Sequence, residues 1–441
     1  MMGATPRRRT RRRPWREAME GTAQLTRNQA QVAYRDVRRT TLGLCEPLEI
    51  EDHVVQSMPD ASPPKWHLGH TTWFFETFIL AEFVPGYRPV HSLYRVLFNS
   101  YYVTVGERHP RPERGLLSRP SLGEVLDYRH RVDESILELL ATMQAGFHPE
   151  IVRRLVLGLH HEQQHQELLL MDTKHLFSVN PLRPAYQRAP AASRAAATDQ
   201  RWVEFPGGVH EFGHAGDGFA YDNEMPRHRV VLEPFALASR CVTNGEYLEF
   251  MADGGYERPE LWLYDGWGTV EHAGWRAPLY WERIDADWHQ FTLGGLRRVD
   301  PAEPVVHLSF FEADAYARWR ECRLPSEFEW EQAAGALPRR GNFQESGTLH
   351  PVPASGTGLE HIFGNVWELT RSDYAPYPGY RPLQGALGEY NGKFMSGQLV
   401  QRGGSCLTPA SHIRATYRNF FYPHQRWNFQ GVRLARDVRE G

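Results

Sequence analysis

With 441 residues, the chain has room for two or three domains, and 41% hydrophobic with 12% aromatic residues is ample for packed cores. A net charge of -3 gives no electrostatic reason to expect nucleic acid or an acidic membrane surface as partner. The four cysteines, Cys45, Cys241, Cys322 and Cys406, are far apart with no CxxC, which argues against a disulfide scaffold or a Cys-rich zinc site and fits a reducing cytoplasm.

Residues 1–24 carry Arg7-Arg8-Arg9 and Arg11-Arg12-Arg13. A twin-arginine signal needs an apolar stretch behind the arginines, and none follows. A basic, disordered tail is expected there. Residues 25–56 read as helix, with Val32, Val37, Leu42 and Leu44 mostly on one side. Ser62-Pro63-Pro64 reads as the start of a second helix, with Ser62 as its cap and its end at Phe83, before Pro85-Gly86. His67 and His70 lie three apart on one face of it, and spacing alone leaves open which would serve as a ligand.

Asn99-Ser100-Tyr101-Tyr102 leads into 106–115, whose Pro and Arg content predicts an ordered loop rather than a helix. Arg111 and Arg114 on that loop could hold a carboxylate. Residues 121–145 read as a third helix. Ser121 and Glu124 have capping-box spacing, and Leu126, Ile136, Leu137 and Leu140 supply apolar positions. Pro149 opens the fourth, which has neither Gly nor Pro from 159 to 177. His161 and His165, four apart, point the same way and make half of a transition-metal site. Four long helical segments in 25–185 suggest a helix bundle with a metal between facing helices.

Residues 186–200, with Ala189-Pro190-Ala191-Ala192-Ser193, read as a linker. From 201 to 441 the texture changes to short apolar runs broken by Gly, Pro and Asn. Two helices stand out, one near Thr243 covering Glu246 to Met251 and one from Phe311 to Arg320. This predicts an irregular α+β domain without a Rossmann or P-loop signature.

The motifs of this second half resemble the sulfatase-modifying-factor (formylglycine-generating enzyme) family, a C-type-lectin-like fold. They include Val242-Thr243-Asn244-Gly245-Glu246-Tyr247, Arg323-Leu324-Pro325-Ser326-Glu327-Phe328-Glu329-Trp330 and Gly364-Asn365-Val366-Trp367-Glu368. Arg402-Gly403-Gly404-Ser405 and Gly431-Val432-Arg433-Leu434 follow in the same order. The first half resembles the DinB-like four-helix bundles, which carry three-histidine metal sites. Trp66-His67-Leu68-Gly69-His70, His161-Glu162-Gln163-Gln164-His165, Gly388-Glu389-Tyr390-Asn391 and Tyr417-Arg418-Asn419-Phe420-Phe421-Tyr422-Pro423 together resemble the ergothioneine-pathway sulfoxide synthases, or hercynine oxygenases.

That resemblance implies a non-haem Fe(II) enzyme that uses O2 to join cysteine to the imidazole C2 of hercynine (N-α-trimethylhistidine) as a sulfoxide. It implies His70, His161 and His165 as iron ligands, with His67 and His160 in support. It makes Tyr101 and Tyr102 candidates for proton delivery. Gln164, Asn419 and Phe420 would hold hercynine, and Arg111 and Arg114 the carboxylate of the sulfur donor. Phe421 and Gln425 stand where members that use γ-glutamylcysteine carry an acid and an arginine, so free cysteine is favoured. The alternatives are γ-glutamylcysteine as donor, an ovothiol-type synthase acting on histidine, a DinB-like metal-dependent thiol transferase, and a lectin-like carbohydrate binder with no use for the histidines.

Overall fold

The computed structural model describes residues 26–142, 148–188, 198–216 and 218–438. The expected basic tail and most of the expected linker lie outside them.

Four long helices form the first half: α1 (Arg27–Gly43), α2 (Pro64–Phe75), α3 (Leu122–Thr142) and α4 (Pro149–Val179). α1 starts at a capping box in which Thr26 and Gln29 exchange bonds. It stops at Gly43, well short of the expected residue 56, because the chain turns ahead of Pro47 and contributes only a short 3-10 turn at Glu51–His53. Its buried side is Ala30, Tyr34, Arg38 and Thr41, while Val32 and Leu42 face solvent. That inward face is polar because a carboxylate, Glu162 of α4, waits beneath it. Arg38 Nη1 donates to Glu162 Oε2 at 2.9 Å and Thr41 Oγ1 to Glu162 Oε1 at 2.6 Å.

α2 begins with Pro63 as N-cap and Pro64 as first residue; Ser62 makes no cap bond and points elsewhere. The helix continues through a π-turn at Glu76–Leu80 to Phe83, and all twelve residues of α2 are buried. α3 starts on the expected Ser121–Glu124 exchange, with Ser121 N 2.7 Å from Glu124 Oε2. Ile136 and Leu140 face inward, but Leu126 is exposed. Residues 143–145 of the expected helix lie outside the described part. The 106–115 stretch ends in a 3-10 helix, Arg111–Leu116, in place of the loop expected from its prolines.

The second half is built from small sheets and short helices. β1 (Trp202–Phe205), β4 (Phe235–Ala238) and β12 (Ala435–Asp437) form one antiparallel sheet. β8 (Trp367–Asp373), β9 (Leu399–Arg402), β10 (Asn419–Phe421) and β11 (Gln430–Gly431) form another, in the order β10-β9-β8-β11. A hairpin of β2 (Gly208–Phe212) with β3 (His228–Leu232) and a meander of β5 (Trp281–Ile284), β6 (Asp287–Thr292) and β7 (Gly295–Arg298) complete the strands. The expected helices are α5 (Asn244–Ala252) and α7 (Phe310–Trp319), capped by Thr243 and Ser309. The structure adds α6 (Tyr264–Ala273) between them and α8 (Glu327–Ala334) after them. One buried apolar cluster runs through both halves, joining Trp73 and Phe74 to Tyr390, Ile413 and Tyr417. The architecture is a helix bundle packed on an α+β domain of small sheets and short helices.

Candidate metal centre

α2 and α4 cross so that His70 faces His161 and His165. The ligand atoms of the three lie within 4.8 Å of one another, and this is the one such cluster of His, Cys, Asp or Glu among the described residues. His70 Nε2 and His161 Nε2 are 3.1 Å apart, a gap that one ion about 2.1 Å from each would span. Gly69 makes the approach possible, since a Cβ there would meet the Phe98 ring at 2.3 Å. The carbonyl of Phe98 in turn accepts a 2.6 Å bond from His70 Nδ1.

All three imidazoles are buried. Burial pushes them toward the neutral form, His161 to about 3 and His70 and His165 well below the ordinary range, with neighbouring histidines adding to the effect on the last two. Neutral imidazoles are metal ligands. His161 Nδ1 has no hydrogen-bond partner among the described residues. The donor set therefore fits a divalent transition metal: three nitrogens, no carboxylate or thiolate, and space on one side.

That space is a cavity of about 730 Å³ between the two halves. His161 and His165 line it, as do Tyr101, Arg111, Arg114, Gln164, Asn419, Phe420 and Phe421. Residues 258 positions apart in the chain, Gln164 and Tyr422 among them, thus share one wall. Tyr102 does not line the cavity. It is fully buried behind Tyr101, ring on ring at 4.6 Å, and burial raises both hydroxyl pKa values. Arg114 is buried, its guanidinium 3.3 Å over the Trp66 ring and Nη1 2.9 Å from Ser62 Oγ. Arg111 is exposed, and Nη2 donates to the Asp60 carbonyl. Phe420 stacks on Tyr374 at 4.0 Å, and Phe421 meets Trp427 edge-on at 5.5 Å. His160 turns away from the cluster and stacks on Phe219 at 4.1 Å.

Sequence reasoning missed several of the walls. Gln164 is clasped by two tyrosines of the second half: its Nε2 donates to Tyr417 Oη at 2.6 Å, and Tyr390 Oη donates to its Oε1. Tyr390 also meets the His161 ring edge-on at 5.7 Å. Glu167, one turn further along α4, accepts from Trp367 Nε1 at 2.7 Å, Ser405 Oγ at 2.6 Å and Thr408 Oγ1 at 2.7 Å. His67 lies 2.8 Å from His165, Nδ1 to Nδ1, and 3.1 Å from Asp172 Oδ2 through its Nε2. The position of Glu167 in the His161 motif was a usable signal, because an acid on the apolar side of a helix needs a partner.

Known proteins divide the chain as its architecture does. Residues 33–169 match the DinB superfamily, and residues 187–353 and 341–438 match the sulfatase-modifying factor enzyme 1-like domain. A formylglycine-generating enzyme of Streptomyces coelicolor is 30% identical over 304 residues, which is 58% of this chain and 95% of that protein. Two hercynine oxygenases match through both halves. That of Mycolicibacterium smegmatis is 33% identical over 436 residues, 91% of this chain and 97% of the relative. That of Mycobacterium tuberculosis is 32% identical over 406 residues, 86% of this chain and 92% of the relative. A bundle with a buried three-histidine cluster, fused to this second domain and matched along its length in this way, belongs to the hercynine oxygenase family.

Proposed function

We propose that the protein is a non-haem Fe(II) sulfoxide synthase that joins cysteine to the imidazole C2 of hercynine, and that His70, His161 and His165 hold the iron. The observation that carries the proposal is a cluster of three neutral imidazoles, His70, His161 and His165, two of which open onto a cavity large enough for two amino-acid-sized substrates. The overall reaction balances without an external reductant. Thiol, hercynine and O2 give the sulfoxide and one water, the S–H and C2–H hydrogens leaving with the second oxygen atom. Bound iron supplies the one-electron chemistry that O2 requires and that no side chain here offers.

The chain's own residues bind, orient and protonate. Phe420, with Phe394 and Tyr390 on the same cavity wall, gives the trimethylammonium of hercynine an aromatic surface. Gln164, held rigid by Tyr390 and Tyr417, and Asn419, 3.1 Å from Gln401 Oε1, orient its polar end. Arg114, fixed over Trp66, receives the carboxylate of cysteine, with Arg111 at the mouth. Tyr101, which lines the cavity, delivers the proton, with Tyr102 behind it.

The test is reconstitution with Fe(II) under anaerobic conditions, then exposure to O2 with hercynine and cysteine, followed by mass spectrometry. The expected product carries both substrates plus one oxygen, and O2 uptake tracks it. Equal turnover with zinc, or no O2 uptake, would sink the proposal. Turnover of histidine in place of hercynine would move the protein to the ovothiol-type chemistry.

A further inference from the structure

We propose that Asp172 and His67 form a hydrogen-bond relay that sets the tautomer of His165, so that this ligand is prepared by two residues behind it. The inference rests on the reading of His70, His161 and His165 as metal ligands. His165 and Asp172 lie seven residues apart on α4, two turns along one face. His67 reaches from α2 into the gap between them. Its Nε2 is 3.1 Å from Asp172 Oδ2, and its Nδ1 is 2.8 Å from His165 Nδ1. The same Asp172 oxygen accepts the Ser62 backbone N–H at 2.8 Å. All three relay side chains are buried.

With Asp172 ionised and His67 neutral, the donor and acceptor inventory gives one direction that leaves His165 a free lone pair. An ionised carboxylate only accepts, so His67 Nε2 carries the hydrogen. A neutral imidazole has one donor and one acceptor, so His67 Nδ1 is then an acceptor. His165 Nδ1 must therefore donate, which leaves the lone pair of His165 on Nε2, free to bind a metal. The reverse arrangement would set the Nε2 lone pair of His67 against the carboxylate at 3.1 Å. It would also leave His165 with a hydrogen on Nε2 and no free lone pair.

His70 is prepared by a simpler device, its Nδ1–H bonded to the Phe98 carbonyl at 2.6 Å. His161 Nδ1 has no such partner among the described residues. Two of the three ligands are thus oriented by hydrogen bonds, one directly and one through a relay. His67 and Asp172 are positioning residues in this scheme and touch no reacting atom.

Asp172 makes the inference testable, because its two oxygens do different things. Oδ2 takes both N–H groups, while Oδ1 is buried without a partner among the described residues. In Asp172→Asn, an amide oxygen at the Oδ2 position keeps both bonds and turns its NH2 to the Oδ1 side. Direction survives and only the charge is lost. Asp172→Leu removes both. The experiment measures Zn(II) and anaerobic Fe(II) affinity of the full chain against a chromogenic chelator, with 15N NMR of the His165 ring in the zinc-loaded protein.

His67→Phe and Asp172→Leu should each weaken affinity by about 10–100-fold, and Asp172→Asn should stay within about threefold of the unaltered chain. The zinc-loaded unaltered chain and Asp172→Asn should both show His165 protonated on Nδ1. Equal losses in Asp172→Asn and Asp172→Leu would overturn the relay, since charge rather than direction would then matter. So would an unweakened His67→Phe. If His67→Phe fails to fold, the contrast between the two Asp172 variants decides alone. His161→Ala keeps the two readings separate. Undiminished affinity there removes the metal site itself, whereas lost affinity there with an unweakened His67→Phe removes only the relay.

Discussion

Gly69 should behave opposite to its helix propensity. It sits inside α2, where exchanging Gly for Ala normally stabilises a helix by about 1 kcal/mol. Here the new Cβ would lie 2.3 Å from Phe98 Cε1 and 2.5 Å from Cζ. The ring has nowhere to go, being 2% exposed, edge-on to Tyr94 at 5.3 Å and parallel to Tyr128 at 6.2 Å. Overpacking of this kind costs about 1–3 kcal/mol, so Gly69→Ala should come out unstable by up to about 2 kcal/mol net. The retreat of Phe98 also moves the carbonyl that holds His70 Nδ1, so metal affinity should fall about tenfold with it. Thermal unfolding and chelator competition measure the two effects, and Phe98→Leu on the Gly69→Ala background should recover part of both. A Gly69→Ala protein about 1 kcal/mol more stable than the parent would refute this reasoning, because propensity would then have won over packing.

Four further outcomes are expected. Burial opposes the charge on Glu162, but Arg129 and Arg38 outweigh it and hold the carboxyl at about 2 against an ordinary 4.5. Its stabilisation is full above pH 4.5 and disappears as pH falls toward 2, so Glu162→Gln should lose that acid limb and cost about 3–5 kcal/mol at neutral pH in denaturant titrations. Burial pushes Lys174 down to about 7, so the folded chain binds fewer protons than the unfolded one between pH 7 and 10.5, and stability rises across that window. Lys174→Met should raise Tm most below pH 7, and a Tm gap that does not shrink toward pH 10.5 would count against it. Tyr101→Phe should keep iron and both substrates but lose sulfoxide, with Tyr102→Phe the milder change; unchanged product yield in the double variant would move proton delivery to another group such as Tyr390. Cysteine should exceed γ-glutamylcysteine in kcat/KM by at least about tenfold, because the wall at Phe421, Tyr422 and Gln425 offers a glutamyl group no charged side chain, and Arg114→Ala should raise the KM for cysteine far more than that for hercynine.

The helices of the first half were legible wherever a local signal existed. Ser121 and Glu124 marked one start, Pro149 another, and the four-residue spacing of His161 and His165 named half of the cluster. What failed depended on distant partners. The inward face of α1 holds Arg38 and Thr41 because Glu162, more than a hundred residues later, needs both, and apolar periodicity pointed to Val32 and Leu42 instead. Ser62 looked like a cap, yet its N–H goes to Asp172 and its hydroxyl oxygen accepts from Arg114. α8 was readable and missed, since Ser326 and Glu329 repeat the Ser121–Glu124 spacing. Spacing alone left His67 and His70 open and the resemblance pointed to His70; the crossing of α2 over α4 brings His70, rather than His67, into the three-histidine cluster.

The excess polarity of α4 has a physical explanation in this arrangement. A helix buried over most of 31 residues should be apolar, yet this one carries histidines, glutamates and glutamines on successive turns. Each set answers to a different neighbour. Glu162 points into the bundle, to Arg38, Thr41 and Arg129. His161 and His165 face His70. Gln164 and Glu167 face the second half, where their side-chain partners among the described residues are found: Tyr390 and Tyr417 for one, Trp367, Ser405 and Thr408 for the other. The second half also grips the tyrosine loop, with Glu389 accepting the Val103 and Thr104 N–H groups at 2.9 Å and Lys393 donating to the Tyr101 carbonyl. Separation of the halves would give these bonds over to water and release the loop that carries Tyr101, at a net cost of about 0.5–1.5 kcal/mol for each hydrogen bond lost. The bundle can hold three imidazoles by itself, but it cannot close a cavity around them or fix what stands opposite. The site therefore belongs to the seam, and the polar helix is polar because it has a wall to build on each side.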